Sequence, residues 1–162
     1  MKEPASNQEF KWVDTHCHLQ LSKHKISEID FSNIEYLIIP GVDTKSSIKA
    51  RELCDSLPVK GYWSAGLHPH DAKKMHDEKE TLEVLFSEAH LIGETGLDYY
   101  RNLSSKDDQY KNLKFHLEAS QEYKKPIIIH CRDSFEDLYN LIEEHQGQVP
   151  IILHSWTGGK KW

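Results

Sequence analysis

Residues 127–133 have the sequence IIIHCRD, and this segment is the strongest indication of the fold class. Three consecutive isoleucines are apolar on both faces of an extended chain, which is typical of a strand buried in a parallel sheet. Four similar apolar runs, and a weaker one that contains Tyr62 and Trp63, recur along the chain. The pattern therefore predicts six strands, which start near residues 13, 36, 62, 91, 127 and 151.

Segments with helical spacing lie between these strands. Apolar residues recur at i, i+3, i+4 and i+7 in residues 50–57, 82–89 and 135–142, and residues 106–124 form the longest helical candidate. Asp43 precedes the first of these helices, and Ser134, with Asp137 three residues on, precedes the last, which predicts a helix start at each place. The strand starts are about 23 to 36 residues apart, which suits repeated βα units. This alternation predicts an α/β fold with a parallel sheet and helices outside it.

Two architectures fit that alternation: an open doubly wound sheet and a (β/α)8 TIM barrel. No GxGxxG motif or phosphate-binding loop follows any predicted strand, which weakens the nucleotide-binding form of the open sheet. A complete barrel usually needs ~250 residues. We therefore expect residues 12–162 to form a partial TIM barrel with about six of the eight βα units, preceded by a flexible N-terminal arm at residues 1–11.

The composition narrows the class of protein. The chain has 162 residues, 38% of them hydrophobic and 28% charged, which is typical of a globular domain. It lacks an apolar run of ~18 residues and its first residues are polar, so the sequence predicts no membrane span and no secretory signal. Three cysteines without a CxxC motif favour the reducing cytoplasm. The net charge of −6 argues against nonspecific DNA binding, although bound metal ions would supply local positive charge.

Histidines and one glutamate follow five of the six predicted strands. Because the carboxyl ends of parallel strands converge on the ligand, these side chains are expected to meet at the carboxyl end of the sheet, which we call the rim. They are His16, His18, His68, His70, Glu94, His130 and His154. Imidazole and carboxylate donors in one cluster suit a divalent metal.

Each of these residues also has an ordinary structural interpretation. Chance alone gives about 0.7 HxH pairs at this histidine content, so the His16/His18 pair is informative through its position at a strand end. Residues i and i+2 of a strand point to the same face, so both imidazoles are expected to face the barrel interior from the first strand. Glu94, between two glycines, would either bridge two metals or lie in a solvated loop. His130 and His154 would be either ligands or core histidines bonded to the backbone.

Further polar residues near the rim are candidates for contact with a substrate phosphate. Pro69 stiffens the loop that carries His68 and His70. Arginine side chains bind phosphate with two parallel hydrogen bonds, which makes Arg101 and Arg132 candidates as well. The alternatives are a structural loop for the two histidines and surface salt bridges for the arginines.

Five motifs together resemble the TatD family of metal-dependent deoxyribonucleases. They are DTHCH at 14–18, GLHPH at 66–70, GETGLDY at 93–99, HCRD at 130–133, and His154 followed by Thr-Gly-Gly. The resemblance implies a TIM-barrel hydrolase that degrades DNA, with single-stranded DNA expected as substrate, as a 3′→5′ exonuclease in the cytoplasm.

The resemblance also implies roles for the site residues. His16 and His18 would hold a first divalent ion, Glu94 would bridge, and His130 and His154 would hold a second; Mg²⁺, Mn²⁺ and Zn²⁺ are the candidate ions. Glu94, His68 and His70 are then the expected catalytic residues, and Arg101 and Arg132 the expected substrate-binding residues.

Two other functions stay open at this point. Other amidohydrolase-like enzymes also begin with HxH, but many bridge their metals with a carboxylated lysine after strand four, and residues 91–95 contain no lysine. The third possibility is an inactive remnant, because the family's final metal-binding aspartate, after its last barrel strand, is absent from this chain. In a partial barrel of six strands, the first and the sixth strand are open edges with unpaired backbone groups. Such edges predict self-association of the chain.

Overall fold

The computed structural model describes residues 10–145 and 148–158. Apart from its last two residues, the predicted arm at 1–11 lies outside this part of the chain. Six strands are present: β1 (Trp12–Asp14), β2 (Ile34–Pro40), β3 (Lys60–Ala65), β4 (Leu91–Asp98), β5 (Ile127–Arg132) and β6 (Ile151–His154). Four α-helices alternate with them: α1 (Thr44–Ser56), α2 (Met75–Glu88), α3 (Lys106–Tyr123) and α4 (Phe135–Glu143).

The six strands form one parallel sheet in the order of the sequence, β1 to β6. In a doubly wound sheet the order of the strands changes direction beside the first strand. In this sheet the strand order follows the sequence throughout. The predicted TIM-barrel type is therefore confirmed, as a curled wall of six of the eight βα units. Within the described residues, β1 and β6 each pair on one side only.

The first connection departs from the βα pattern. Two single turns of 3₁₀ helix, Leu19–Leu21 and Ile26–Glu28, stand between β1 and β2 in place of an α-helix. The helix start predicted at Asp43 is present, and its side chain accepts a hydrogen bond from the Ser46 N–H at 2.6 Å.

The predicted start of α4 is also present, but its cap differs. The Ser134 hydroxyl donates to the Leu97 carbonyl rather than capping the helix, because the end of β4 packs beside it. The Asp137 carboxylate accepts from the Tyr99 hydroxyl at 2.7 Å, so the expected capping pair is not formed. Both side chains instead tie α4 to the end of β4.

The apolar core lies where the helices pack against the sheet. Ile127 and Ile129 of β5 are fully buried, in agreement with the isoleucine run that predicted this strand. The helices contribute fully or almost fully buried side chains to the same cluster, among them Leu82, Phe86, Leu113, Leu117 and Leu138. The carboxyl ends of the strands project beyond this core and carry the polar residues described next. None of the described helices is long and apolar enough to cross a bilayer.

Candidate metal centre

Glu94 lies inside β4, whereas the sequence placed it in a turn after a strand. The pairing of β4 with β5 shifts register between Ile92 and Thr95, so the strand bulges where Glu94 sits. Gly93 and Gly96 on either side have φ angles of +103° and +140°, which only glycine adopts readily. The bulge aims the Glu94 carboxylate into the rim, where its side chain is only 3% exposed.

One oxygen of Glu94 faces the loop after β1. Its Oε2 lies 3.1 Å from Nε2 of His16 and 3.5 Å from Nε2 of His18. The His16 ring stacks on His154 from the end of β6, with 3.4 Å between ring centroids and 10° between planes. Because these two histidines come from opposite edges of the sheet, their contact shows how strongly the wall is curled.

The two histidines near β1 do not lie in the strand itself, which corrects the sequence interpretation. β1 ends at Asp14, whose carboxylate accepts from the His16 N–H at 3.0 Å and turns the chain. His18 is held instead by a contact of 3.1 Å between its Nδ1 and the Pro40 carbonyl. The rings still meet, with 3.1 Å between their Nε2 atoms, but through loop geometry rather than strand alternation.

The other oxygen of Glu94 faces a second set of imidazoles. Its Oε1 lies 3.3 Å from Nδ1 of His130 and 3.6 Å from Nε2 of His68. Two groups of possible metal donors result: His16, Glu94 and His154, and His68, Glu94 and His130. Within each group the donor atoms lie within 4.8 Å of one another. The geometry thus places His154 with His16, and His68 with His130, which differs from the grouping implied by the resemblance.

Asp98 is a second buried carboxylate of the site, and the sequence analysis assigned it no role. Its Oδ2 lies 2.8 Å from Nε2 of His70 and 3.1 Å from Nε2 of His130. His130 therefore stands between two carboxylates, with one ring nitrogen toward each. The spacing of Asp98 four residues after Glu94 in one strand was the available signal, because alternate strand residues share a face.

The electrostatics keep these carboxylates ionised. Burial raises the pKa of Glu94, but the hydrogen bonds from His130, His16 and His18 outweigh it and hold the pKa far below its usual value. Burial likewise opposes ionisation of Asp98, and the Arg101 N–H together with two imidazoles lowers its pKa. Two anionic carboxylates thus persist at neutral pH although both are almost fully buried.

The histidines differ in the direction in which their surroundings shift the pKa. Burial lowers the pKa of His68 to about 4, and burial together with His16 lowers the pKa of His154. Burial also opposes the protonation of His130, but Glu94 and Asp98 overcome it and raise the pKa of His130. Neutral rings with free lone pairs beside an ionised carboxylate are a donor set that fits a divalent transition metal.

The two predicted arginines occupy different positions around the cluster. Arg132 lines a cleft that also contains His130 and His154, and its guanidinium carbon lies 3.8 Å from the centroid of the Tyr100 ring. Arg101 is linked to the site through its backbone N–H, which donates to the Asp98 carboxylate at 2.8 Å.

A buried polar face of α3 supports the loops that carry the donors, and the sequence analysis missed it. Gln109, Asn112 and His116 are each 0% exposed. The Asn112 amide donates to the Leu67 carbonyl at 2.7 Å, and the Leu67 N–H donates to Nε2 of His116 at 3.1 Å. These bonds fix the backbone directly before His68.

Comparison with known proteins identifies relatives of this chain. The family model of TatD-related DNases matches residues 13–162. A protein of Pectobacterium parmentieri named 3′-5′ ssDNA/RNA exonuclease TatD is 30% identical over 134 residues, which cover 80% of this chain and 52% of that protein. An uncharacterized metal-dependent hydrolase of Buchnera aphidicola is 33% identical over 156 residues, or 90% of this chain and 59% of that protein. The chain thus spans about half the length of the curated relatives it matches.

Solved structures show the same fold. A TatD family hydrolase from Entamoeba histolytica superposes with a TM-score of 0.81 at 21% identity, over 94% of this chain and 60% of that one. YJJV, a TatD homologue from Escherichia coli, gives a TM-score of 0.81 over 93% of this chain and 61% of that one. The match of the family model over nearly the whole chain is decisive for the assignment. The chain belongs to the TatD-related DNase family.

Proposed function

We propose that this chain carries the metal-binding part of a phosphodiesterase that degrades single-stranded DNA from its 3′ end. The observation that supports the proposal most directly is the position of the Glu94 carboxylate. Each of its two oxygens faces a different set of imidazoles. A single carboxylate shared by two donor groups is the arrangement expected for a bridging ligand. Several relatives are named 3′-5′ ssDNA/RNA exonucleases, which supports the choice of substrate.

The geometry supports a specific set of proposed ligands. His16 and His154 would hold one divalent ion, His68 and His130 the other, and Glu94 would bridge them. His18 approaches the first group, with its Nε2 3.5 Å from Glu94. Divalent ions bound there would polarise the phosphodiester and lower the pKa of a water molecule. Mg²⁺, Mn²⁺ and Zn²⁺ remain the candidate ions.

The surrounding residues position these ligands. As a neutral ligand, His130 would keep its proton on Nε2 and donate it to Asp98, and the lone pair of Nδ1 would replace the hydrogen bond that the protonated ring gives to Glu94. Asp98 holds His70 in the same way, at 2.8 Å. His70 thereby lies at the rim, where it would hydrogen-bond a phosphate oxygen, and Arg132 would contact the substrate from the neighbouring cleft.

We place the activity in the cytoplasm, since the three cysteines are free thiols.

The test compares two glutamate variants on labelled single-stranded DNA with Mn²⁺ or Mg²⁺. Glu94→Gln keeps the size of the side chain but removes its charge, so we expect nucleotide release to fall by at least about 100-fold. Glu83→Gln, on the exposed surface of α2, is the matched control and should retain activity. Equal nucleotide release by both variants would refute the role of Glu94. Turnover of lactones or amides without DNA cleavage would favour the other amidohydrolase-like chemistry.

A further inference from the structure

Two clefts meet at the donor cluster, and only one of them contains Glu94. The first, of about 380 Å³, is lined by Glu94, His18, His68 and His70, among other residues. The second, of about 540 Å³, runs outward from it and is large enough for a small ligand. His130 and His154 line both clefts. A molecule with a phosphate at the donors would therefore extend directly into the second cleft.

The outer part of the second cleft is built from a tyrosine and an arginine. The Arg132 guanidinium lies over the Tyr100 ring, 3.8 Å from its centroid, and forms a cation–π pair. The Tyr100 side chain nevertheless remains largely exposed, at 59%. A planar guanidinium and an exposed phenol ring together form a flat surface on which another ring can stack.

The charge of this cleft favours a neutral ring over a second phosphate. Among the described residues that line it, Arg132 is the cation and Asp133 the anion, so the two side chains offset each other. A nucleobase is the uncharged planar part of a nucleotide. Every base has such a face, so stacking of this kind tolerates different sequences.

We propose that Tyr100 and Arg132 form a stacking subsite for an unpaired nucleobase, next to the phosphate that lies at the donor cluster. This inference rests on the proposed phosphodiesterase function and gives it a physical basis for choosing single strands. A base in a duplex is already paired and stacked, so it must leave the helix at an energetic cost before it can reach Tyr100. A free strand bears little of that cost.

The experiment measures binding separately from hydrolysis. A short fluorescent single strand and an abasic strand of the same length and charge are titrated with the whole chain in EDTA, and fluorescence anisotropy gives each Kd. Tyr100→Ala should weaken binding of the base-containing strand roughly tenfold and leave the abasic strand unchanged. Tyr100→Phe, which keeps the ring, should bind both strands as the wild type does. Tyr110→Ala, at an exposed tyrosine of α3, is the matched control.

The two proposals fail in different ways. If wild type binds both strands equally, or neither, or if Tyr100→Ala weakens both by the same factor, the nucleobase subsite is wrong. If binding depends on the bases and on Tyr100 but no strand is cleaved in Mn²⁺ or Mg²⁺, the subsite stands and the proposed hydrolysis is wrong. Base-dependent binding that Tyr100→Ala removes, together with cleavage, supports both.

Discussion

Gln109 holds the backbone of Asp98 from both sides. Its side-chain oxygen accepts from the Asp98 N–H at 2.7 Å, and its amide nitrogen lies 3.2 Å from the Asp98 carbonyl and 2.9 Å from the Ser104 carbonyl. Gln109 is fully buried, and water has no access to replace these bonds. The residue that orients His70 and His130 is therefore held in place by a side chain of α3.

Gln109→Leu should destabilise the protein strongly. The change leaves a buried N–H and two carbonyl groups without their partner, which predicts a loss of about 2–4 kcal/mol in the free energy of unfolding. Urea denaturation measures this loss. Gln121→Leu, the same substitution at a half-buried position of α3, serves as control and should change the free energy by less than about 1 kcal/mol. Equal effects of the two substitutions would contradict the role given to Gln109.

His116 should make stability depend on pH. Burial lowers its pKa to about 4, and its ring is held neutral between the Leu67 N–H and the Asn112 carbonyl. Below pH 6.5, the usual pKa of histidine, His116 takes up a proton in the unfolded chain but not in the folded chain. The contribution of His116 is therefore complete above pH 6.5 and falls away between pH 6.5 and about 4. The loss amounts to no more than about 3 kcal/mol.

Denaturation at a series of pH values tests this expectation. His116→Gln should show a flatter acid profile than wild type over that pH range, because glutamine has no proton to take up. His76→Gln, at an exposed histidine of α2, should keep the wild-type slope. Parallel profiles for wild type and His116→Gln would assign the acid sensitivity to other groups.

Divalent metal should stabilise the fold through Glu94. Binding to the folded state alone raises the free energy of unfolding by about 2.7 kcal/mol at a hundredfold excess over Kd. Thermal melting with increasing Mn²⁺ should show a rising Tm for wild type and for Glu83→Gln, and EDTA should reverse it. Glu94→Gln should lose most of the increase, because both donor groups contain this carboxylate. A Glu94→Gln protein that responds to Mn²⁺ like wild type would rule out a shared ligand.

The open edge at β1 should promote self-association of the 162-residue chain. Val13 is 37% exposed on a strand that, within the described range, pairs only with β2. Charged side chains on edge strands oppose such pairing. Val13→Lys should therefore lower the apparent mass in size-exclusion chromatography with light scattering. Val84→Lys, on the exposed surface of α2, should leave it unchanged, and a wild-type chain that is monomeric throughout would contradict the prediction.

The sequence predicted the central strands well, because β4 and the first half of β5 are buried on both faces. The run at residues 127–129 is apolar throughout, and its strand begins at Ile127 as expected. The end of β1 was not predictable in the same way. The Asp14 side chain bonds the His16 N–H two residues on, and this local bond competes with continuation of the strand.

The metal donors were predictable as a set but not in their grouping. Strand ends carry histidines, and parallel strands bring such ends together, so convergence follows from the pattern alone. Which rings share a side of Glu94 depends on the bulge in β4 and on the curvature of the sheet. Gly93 shows why: a methyl group there would collide with the Ile128 carbonyl, a contact made by a different strand. Such tertiary contacts leave no periodic trace in the sequence.

The stack of His16 on His154 joins positions near the two ends of the described chain. A metal bound by both side chains would act as a cross-link across almost the entire fold, much as a disulfide bridge does. Closing so long a loop is costly in chain entropy, and a bond that exists only in the folded state offsets that cost. Metal loading would then determine whether the two edges of the wall stay together, so that assembly of the site and closure of the fold become one event.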